Sequence, residues 1–153
     1  MTALSEHFTL REATKSATAI RLGIDNTPPD DVIPKMKAVA ERILEPCRAH
    51  FATPFTPTSF YRCLALNREL GSSDDSQHVK GEAVDFEIPG LPNLKLARWI
   101  VDNLLFDQVI AEFVRPDDPS SGWVHASFVI NSTNRGQCFT FDGKNYKTGL
   151  PVS

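Results

Sequence analysis

Cysteine is scarce: Cys47, Cys63 and Cys138 are the only three in 153 residues, odd in number, widely scattered and without a CxxC pair. Such spacing excludes a thiolate zinc cluster and a redox dithiol, and leaves three reduced, mostly buried thiols as the expectation. Long apolar runs are missing as well. No stretch approaches the roughly 20 residues that a membrane-spanning helix needs, so no membrane insertion is expected. The first fifteen residues carry Glu6, His7, Arg11, Glu12 and Lys15, which leaves no apolar stretch for a signal peptide. Synthesis in the cytoplasm is therefore expected. Charge of one sign is not in excess either. The formal net charge is −3, no Lys/Arg cluster is interleaved with aromatics, and no nucleic acid is expected as a partner. Internal repeats, low-complexity segments and linkers are absent, so residues 1–153 read as one domain large enough for its own core.

What is present is ordinary soluble composition, 41% hydrophobic and 23% charged. Residues 4–26 read as a short helical region broken at Thr27-Pro28-Pro29. From Val32 to Cys47 the apolar residues Val32, Met36, Val39, Ala40, Ile43, Leu44 and Cys47 keep helical spacing. Asp30 or Asp31 is placed to cap that helix, Pro34 falls in its first turn, and Pro46 is expected to disturb its last. A second helix is expected over about 94–105. Strands are expected near 56–60, 83–88, 107–113, 123–130 and 137–141. Alternation sets Val84, Phe86 and Ile88 against Ala83, Asp85 and Glu87, and Val124, Ala126, Phe128 and Ile130 against Trp123, His125 and Ser127. Val109, Ala111 and Phe113 likewise oppose Gln108 and Glu112, with Ile110 falling on the polar side. These patterns predict an α+β domain: an antiparallel sheet with helices packed on one face and a polar cleft on the other.

Chemistry concentrates in Ser76-Gln77-His78-Val79-Lys80-Gly81-Glu82-Ala83-Val84-Asp85. His78 sits in a polar loop, Gly81 permits a sharp turn, and Asp85 lies in the strand that follows. Trp123-Val124-His125 brings a second imidazole from another strand onto the same face. Two histidines and one carboxylate form a set that holds a catalytic metal with a position left for water, which the metal acidifies for attack on an amide. Spacing alone leaves a metal site and a chance clustering both open. His7 and His50 read as surface or hydrogen-bonded histidines.

Ser76-x-His78-x-x-Gly81-x-Ala83-x-Asp85 followed by Trp123-x-His125 resembles the signature of the zinc D-alanyl-D-alanine carboxypeptidase family. That family includes D,D-dipeptidases and phage L-alanyl-D-glutamate endopeptidases and has the Hedgehog/DD-peptidase fold. Ser5-Glu6-His7-Phe8, the stretch Gly23-Ile24-Asp25-Asn26-Thr27-Pro28, Tyr61-Arg62 and Ala65-Leu66-Asn67 resemble its phage and prophage branch, so the likeness runs from about Leu4 to Phe128. The resemblance implies Zn2+ as cofactor and His78, Asp85 and His125 as its ligands. Arg62 resembles the family arginine that faces the scissile carbonyl or a substrate carboxylate, a role suited to a fixed cation. Read without the family, it is a surface arginine at a strand–loop junction. Phe60 stands where glycine is common and Cys63 where serine is common, so Phe60 is expected to reshape the cleft or tilt Arg62.

Many relatives place an acid three residues before the last histidine, where this chain has Gly122. Glu112 resembles the acidic residue of the corresponding strand in the phage branch. Pairing of 107–113 with 123–130 would set it opposite His125, as a general base. A solvated strand-end carboxylate or a partner of Arg62 is the plainer reading. Asp117 and Asp118 are weaker candidates, expected only to solubilise their loop. Ser76 and Gln77 are expected to contact substrate or orient a ligand imidazole, and Trp123 to form a cleft wall or a half-buried strand aromatic. Asn131-Ser132-Thr133 matches a glycosylation sequon but reads as a polar turn.

The implied activity is zinc-dependent hydrolysis of an amide bond in peptidoglycan stem peptides, of D,D-carboxypeptidase or L-alanyl-D-glutamate endopeptidase type. A monomer is expected. Cell-wall action by a chain without a secretion signal implies a phage or prophage lysin released by a membrane-permeabilising protein, or a virion-borne enzyme. The alternatives are a non-catalytic muropeptide-binding module, favoured by the missing acid at Gly122, and a virion structural module whose zinc stabilises the fold.

Overall fold

Local capping decides how the chain begins. A computed structural model of the protein describes residues 2–151. The Thr9 side chain accepts the Glu12 N–H while the Glu12 carboxylate accepts the Thr9 N–H, a reciprocal box that starts α1 (Leu10–Thr14). Ser16 caps α2 (Ala17–Leu22) by accepting the Ala19 N–H. Two capping hydroxyls seven residues apart split the expected helical region into two short helices, with Lys15 extended between them.

The expected helix from Val32 is longer than its spacing suggested. It comprises α3 (Ile33–Val39), a π-helical turn (Ala40–Leu44) and α4 (Glu45–Phe51). Neither Asp30 nor Asp31 caps it, since Val32 occupies the cap position without a side-chain hydrogen bond. Pro46 does not end it either. The Glu45 N–H reaches back five residues to the Ala40 carbonyl, and this widened turn leads into α4 with Pro46 in its first turn, so the helix continues to Phe51. Met36, Val39, Ala40, Ile43, Leu44 and Cys47 along its inner side are fully buried.

The sheet has five strands in the order β1-β3-β2-β4-β5: β1 (Ala83–Phe86), β2 (Gln108–Glu112), β3 (Trp123–Ser127), β4 (Gln137–Phe141) and β5 (Tyr146–Thr148). β3 lies between β1 and β2, antiparallel to both. The antiparallel expectation fails at β4, which runs parallel to β2. Both edges of β3 are occupied, so the chain must pass to the far side of β2. A single reversal after β3 then brings it in alongside β2 in the same direction. β5 completes an antiparallel hairpin with β4. The strand expected at 56–60 is only a bridge between Ser59 and Asp85, since Pro57 removes a ladder donor there.

One sheet face supplies Val84, Phe86, Val109, Val124 and Ala126 to the core shared with the α3–α4 helix and with Leu96, Ala97 and Ile100 of α6 (Asn93–Asn103). Phe113 does not join that face. It leaves β2 with a φ of 59°, and its ring meets Trp123 and Phe141 instead. Ile130 also falls outside the core pattern: β3 ends at Ser127, and Ile130 is exposed. The opposite face presents Asp85, His125, Ile110 and Glu112, and it is there that the cleft opens. No helix among the described residues is long and apolar enough to cross a membrane.

Candidate metal centre

Register brings the two strand residues together. Asp85 on β1 and His125 on β3 are direct cross-strand partners, so their side chains rise from the same face. His125 Nδ1 lies 2.9 Å from Asp85 Oδ1. His78 arrives from the preceding loop, its Nε2 3.3 Å from Asp85 Oδ2. All three residues are buried, and one donor atom from each falls within 4.8 Å of the others, a grouping able to hold a metal ion.

The loop is held by backbone bonds on both sides of His78. His78 Nδ1 is 2.7 Å from the Phe60 carbonyl, and the Arg62 N–H donates to the His78 carbonyl. The Ser76 hydroxyl accepts the His78 N–H. Gly81, at φ +70°, lets this loop lie against α3: a Cβ there would stand 2.6 Å from Val32 Cγ1 and 2.7 Å from Met36 Cγ.

The donor chemistry fits a cation. A carbonyl accepts only a hydrogen, so His78 Nδ1 carries the proton and Nε2 is a bare lone pair. Burial pushes the His78 imidazole below its ordinary value, against the pull of Asp85, and so favours that neutral form. Nε2 therefore faces carboxylate oxygen Oδ2, acceptor against acceptor, at 3.3 Å. A divalent cation among these atoms would remove the repulsion. Burial also opposes charge on Asp85, but a positive charge at the His78 position, whether imidazolium or a bound cation, together with hydrogen bonding from His125, holds its carboxyl well below the usual carboxylate range. Burial works against protonation of His125 too, but hydrogen bonding to Asp85 and the charges of Asp85 and Glu112 raise it.

Arg62 is one-eighth exposed, and each of its three nitrogens has a protein partner. Its Nε donates to Ser59, its Nη1 to Asn67 and Ser72, and its Nη2 to Asp85 Oδ2 at 3.3 Å. Two asparagines that sequence reasoning quoted but gave no role hold it there. Buried Asn26 donates to the Thr14 and Tyr61 carbonyls and accepts the Cys63 N–H at 2.7 Å. Fully buried Asn67 donates to the Ser73 carbonyl while accepting from Arg62. Cys63 serves as the cap of α5 (Leu64–Glu69), its Sγ accepting the Leu66 N–H at 3.5 Å. Phe60 does not line the cleft. Its ring is buried in the core, and only its carbonyl reaches the site, through His78.

Glu112 is not directly opposite His125. Ile110 is, and Glu112 pairs with Trp123. The carboxylate reaches diagonally, Oε1 standing 3.7 Å from His125 Nδ1. Burial, together with the negative charge of Asp85, pushes its carboxyl above the usual value. Gly122, at φ +67°, has no room for a side chain: a Cβ would lie 2.0 Å from the Glu112 carbonyl oxygen and 2.6 Å from the Phe113 carbonyl carbon. An acid at that position is thus excluded by the close passage of β2.

The cleft over these groups holds about 360 Å³, and its lining includes Arg62, Ser76, Gln77, Glu112, Arg135 and Tyr146. Gln77 donates to Asp107, and its amide oxygen is buried without a partner among the described residues. Trp123 does not line this cleft. It packs on Phe113 at the cleft's edge with its indole N–H buried and unpartnered among the described residues. Asp117 and Asp118 lie away from it, paired with exposed Arg115. His7 pairs with Glu45 and His50 stacks on Trp99, so neither joins the centre. A larger cavity of about 650 Å³ lies between Phe113 and the chain's last described residues. Its lining contains no histidine and none of the three ligand-type residues.

A family model described as Peptidase M15 matches residues 6–125, a span that contains His78, Asp85, Glu112 and His125. None of the curated proteins matches the chain.

Proposed function

The chain belongs to the peptidase M15 family, and from that premise we propose that it is a zinc-dependent peptidase cleaving an amide bond in peptidoglycan stem peptides. The observation that carries this reading is the buried set His78, Asp85 and His125, whose donor atoms lie within 4.8 Å of one another at the base of a cleft and are able to hold a metal ion. These three residues would hold the metal. Zinc bound there supplies Lewis acidity that activates water and polarises a carbonyl. Glu112, its carboxyl raised by burial, accepts the proton of the attacking water and delivers it to the leaving amine. Arg62 orients Asp85 through its Nη2 bond to Oδ2, and adds a fixed positive charge beside the carbonyl oxygen as it becomes anionic. Ser76 orients the His78 backbone, Gln77 lines the cleft for substrate, and Trp123 buttresses its edge.

The D,D-carboxypeptidase and L-alanyl-D-glutamate endopeptidase reactions are the two forms of this activity, with a phage or prophage lysin as its setting. Glycine at position 122 does not favour a binding-only module, because packing against β2 accounts for it and Glu112 stands on the neighbouring strand.

The test is incubation of purified protein with defined peptidoglycan fragments, with zinc or with a chelator, and identification of products by mass spectrometry. Metal-dependent release of one defined fragment is expected; stoichiometric zinc with every fragment intact would refute a peptidase. Glu112→Gln is expected to lower kcat by about 10²- to 10⁴-fold while zinc stoichiometry stays at the wild-type level.

A further inference from the structure

Two residues of the cleft lining, Arg135 and Tyr146, follow the matched segment 6–125. Arg135 precedes β4 and lines the cleft. Its Nε donates to Asp107 Oδ1 at 3.0 Å and its Nη2 to Asp107 Oδ2 at 2.6 Å. The Arg135 backbone N–H also donates to Oδ1, at 3.0 Å. Asp107 is itself fixed from behind: its side chain is 3% exposed, and Oδ2 accepts a hydrogen from Gln77 at 3.0 Å.

One edge of the guanidinium is thereby anchored. A guanidinium has five N–H donors in a planar fork, and Asp107 takes the Nε/Nη2 edge. Nη1 has no partner among the described residues, so the Nη1/Nη2 edge remains for a second planar acceptor. The side chain is half exposed, at 51%, so that edge is reachable. Arg62, the other cleft cation, differs: all its nitrogens are already bonded to protein. Arg135 is thus the cleft cation with a two-donor edge open to a planar ligand, and its anchoring lowers the entropic cost of binding one.

We propose that Arg135, held by Asp107 and Gln77, is a specificity-determining residue that binds a carboxylate of the substrate peptide in a two-hydrogen-bond fork. This rests on the peptidase reading and narrows it: stem peptides with free carboxylates are substrates, and the same peptides with those carboxylates amidated are poor ones. An amide offers one acceptor and an N–H₂ that meets the guanidinium donors head-on.

The experiment measures kcat/KM for wild type, Arg135→Gln and Arg135→Lys on a stem peptide with free carboxylates and on its carboxamidated form. Wild type is expected to prefer the free acid. Arg135→Gln is expected to lose about 10- to 100-fold on the acid, the worth of a hydrogen bond to a charged group, with the amide rate changed less than about 3-fold. Arg135→Lys keeps the ion pair with Asp107 but not the fork, so it loses the preference as well and serves if the glutamine variant folds poorly. Equal losses on both peptides, or none, overturn the proposal. If wild type cleaves neither peptide, the peptidase reading fails, and calorimetric titration with the same two peptides still decides. Tighter binding of the acid that vanishes in Arg135→Gln supports the carboxylate site, and equal affinities overturn it.

Discussion

At the residue scale, what the sequence disclosed best was which side chains share a face. Strict alternation through 83–86 and 123–127 placed Asp85 and His125 together, and the register pairs them directly. What it hid was who holds whom. Asn26 and Asn67 act through backbone carbonyls and N–H groups many residues away, and no local spacing signals such a bond. Gly122 was read as a missing acid because a sequence position carries no information about the strand passing over it. Its real constraint yields a prediction. Gly122→Ala forces a Cβ to within 2.0 Å of a backbone oxygen at a φ of +67°, two separate penalties of about 1–3 kcal/mol each at least. Urea denaturation should show a loss of roughly 3 kcal/mol or more. The clash falls on the Glu112 carbonyl, so peptide hydrolysis should fall further than stability alone explains.

At the element scale, the α3–α4 helix, α6 and β1 to β3 were legible from periodicity, since each buries apolar residues on one side, whereas β4 was expected only as an apolar stretch and is half-buried throughout. β5 was not legible, because Tyr146, Lys147 and Thr148 are all exposed and show no apolar alternation. Nor was the parallel pairing of β4, which depends on both edges of β3 being filled rather than on any property of 137–141. The junction entering β4 is tied to the start of β2 by Asp107 and Arg135. Hydrogen bonding from Arg135 holds the Asp107 carboxyl below its usual value despite burial. A depressed folded-state value stabilises above the unfolded value of about 3.9, and the contribution is lost as pH falls through the lower, folded one. The urea midpoint of wild type should therefore drop with acid below about pH 4, and Arg135→Gln should flatten that part of the curve. An unchanged acid slope in the variant would show that this pair does not link β4 to β2 energetically.

At the scale of the whole molecule, the apolar core and the ligand cluster occupy opposite faces of one sheet, and folding is therefore expected not to depend on a metal. Met36, Ile43, Leu44, Val84, Phe86 and Ile100 are buried among themselves, away from His78, Asp85 and His125. Chelation should leave a folded protein with a lower Tm. At zinc a hundredfold above its Kd the difference is about 2.7 kcal/mol, or roughly 5–10 °C for a chain of this size. Calorimetry with and without chelator measures it, and an unfolded chelated protein would restore the reading in which zinc is purely structural. The strand order has a consequence for descent as well. β1 and β3 carry two of the three metal-binding candidates at one side of the sheet, while β4 and β5 join on the other, across β2. Mutations can therefore accumulate in the last hairpin and in the crossover carrying Arg135 without touching the ligand strands. Under the proposed function, such an arrangement lets one end of the cleft be retailored to a different peptide while the metal-binding end is inherited intact.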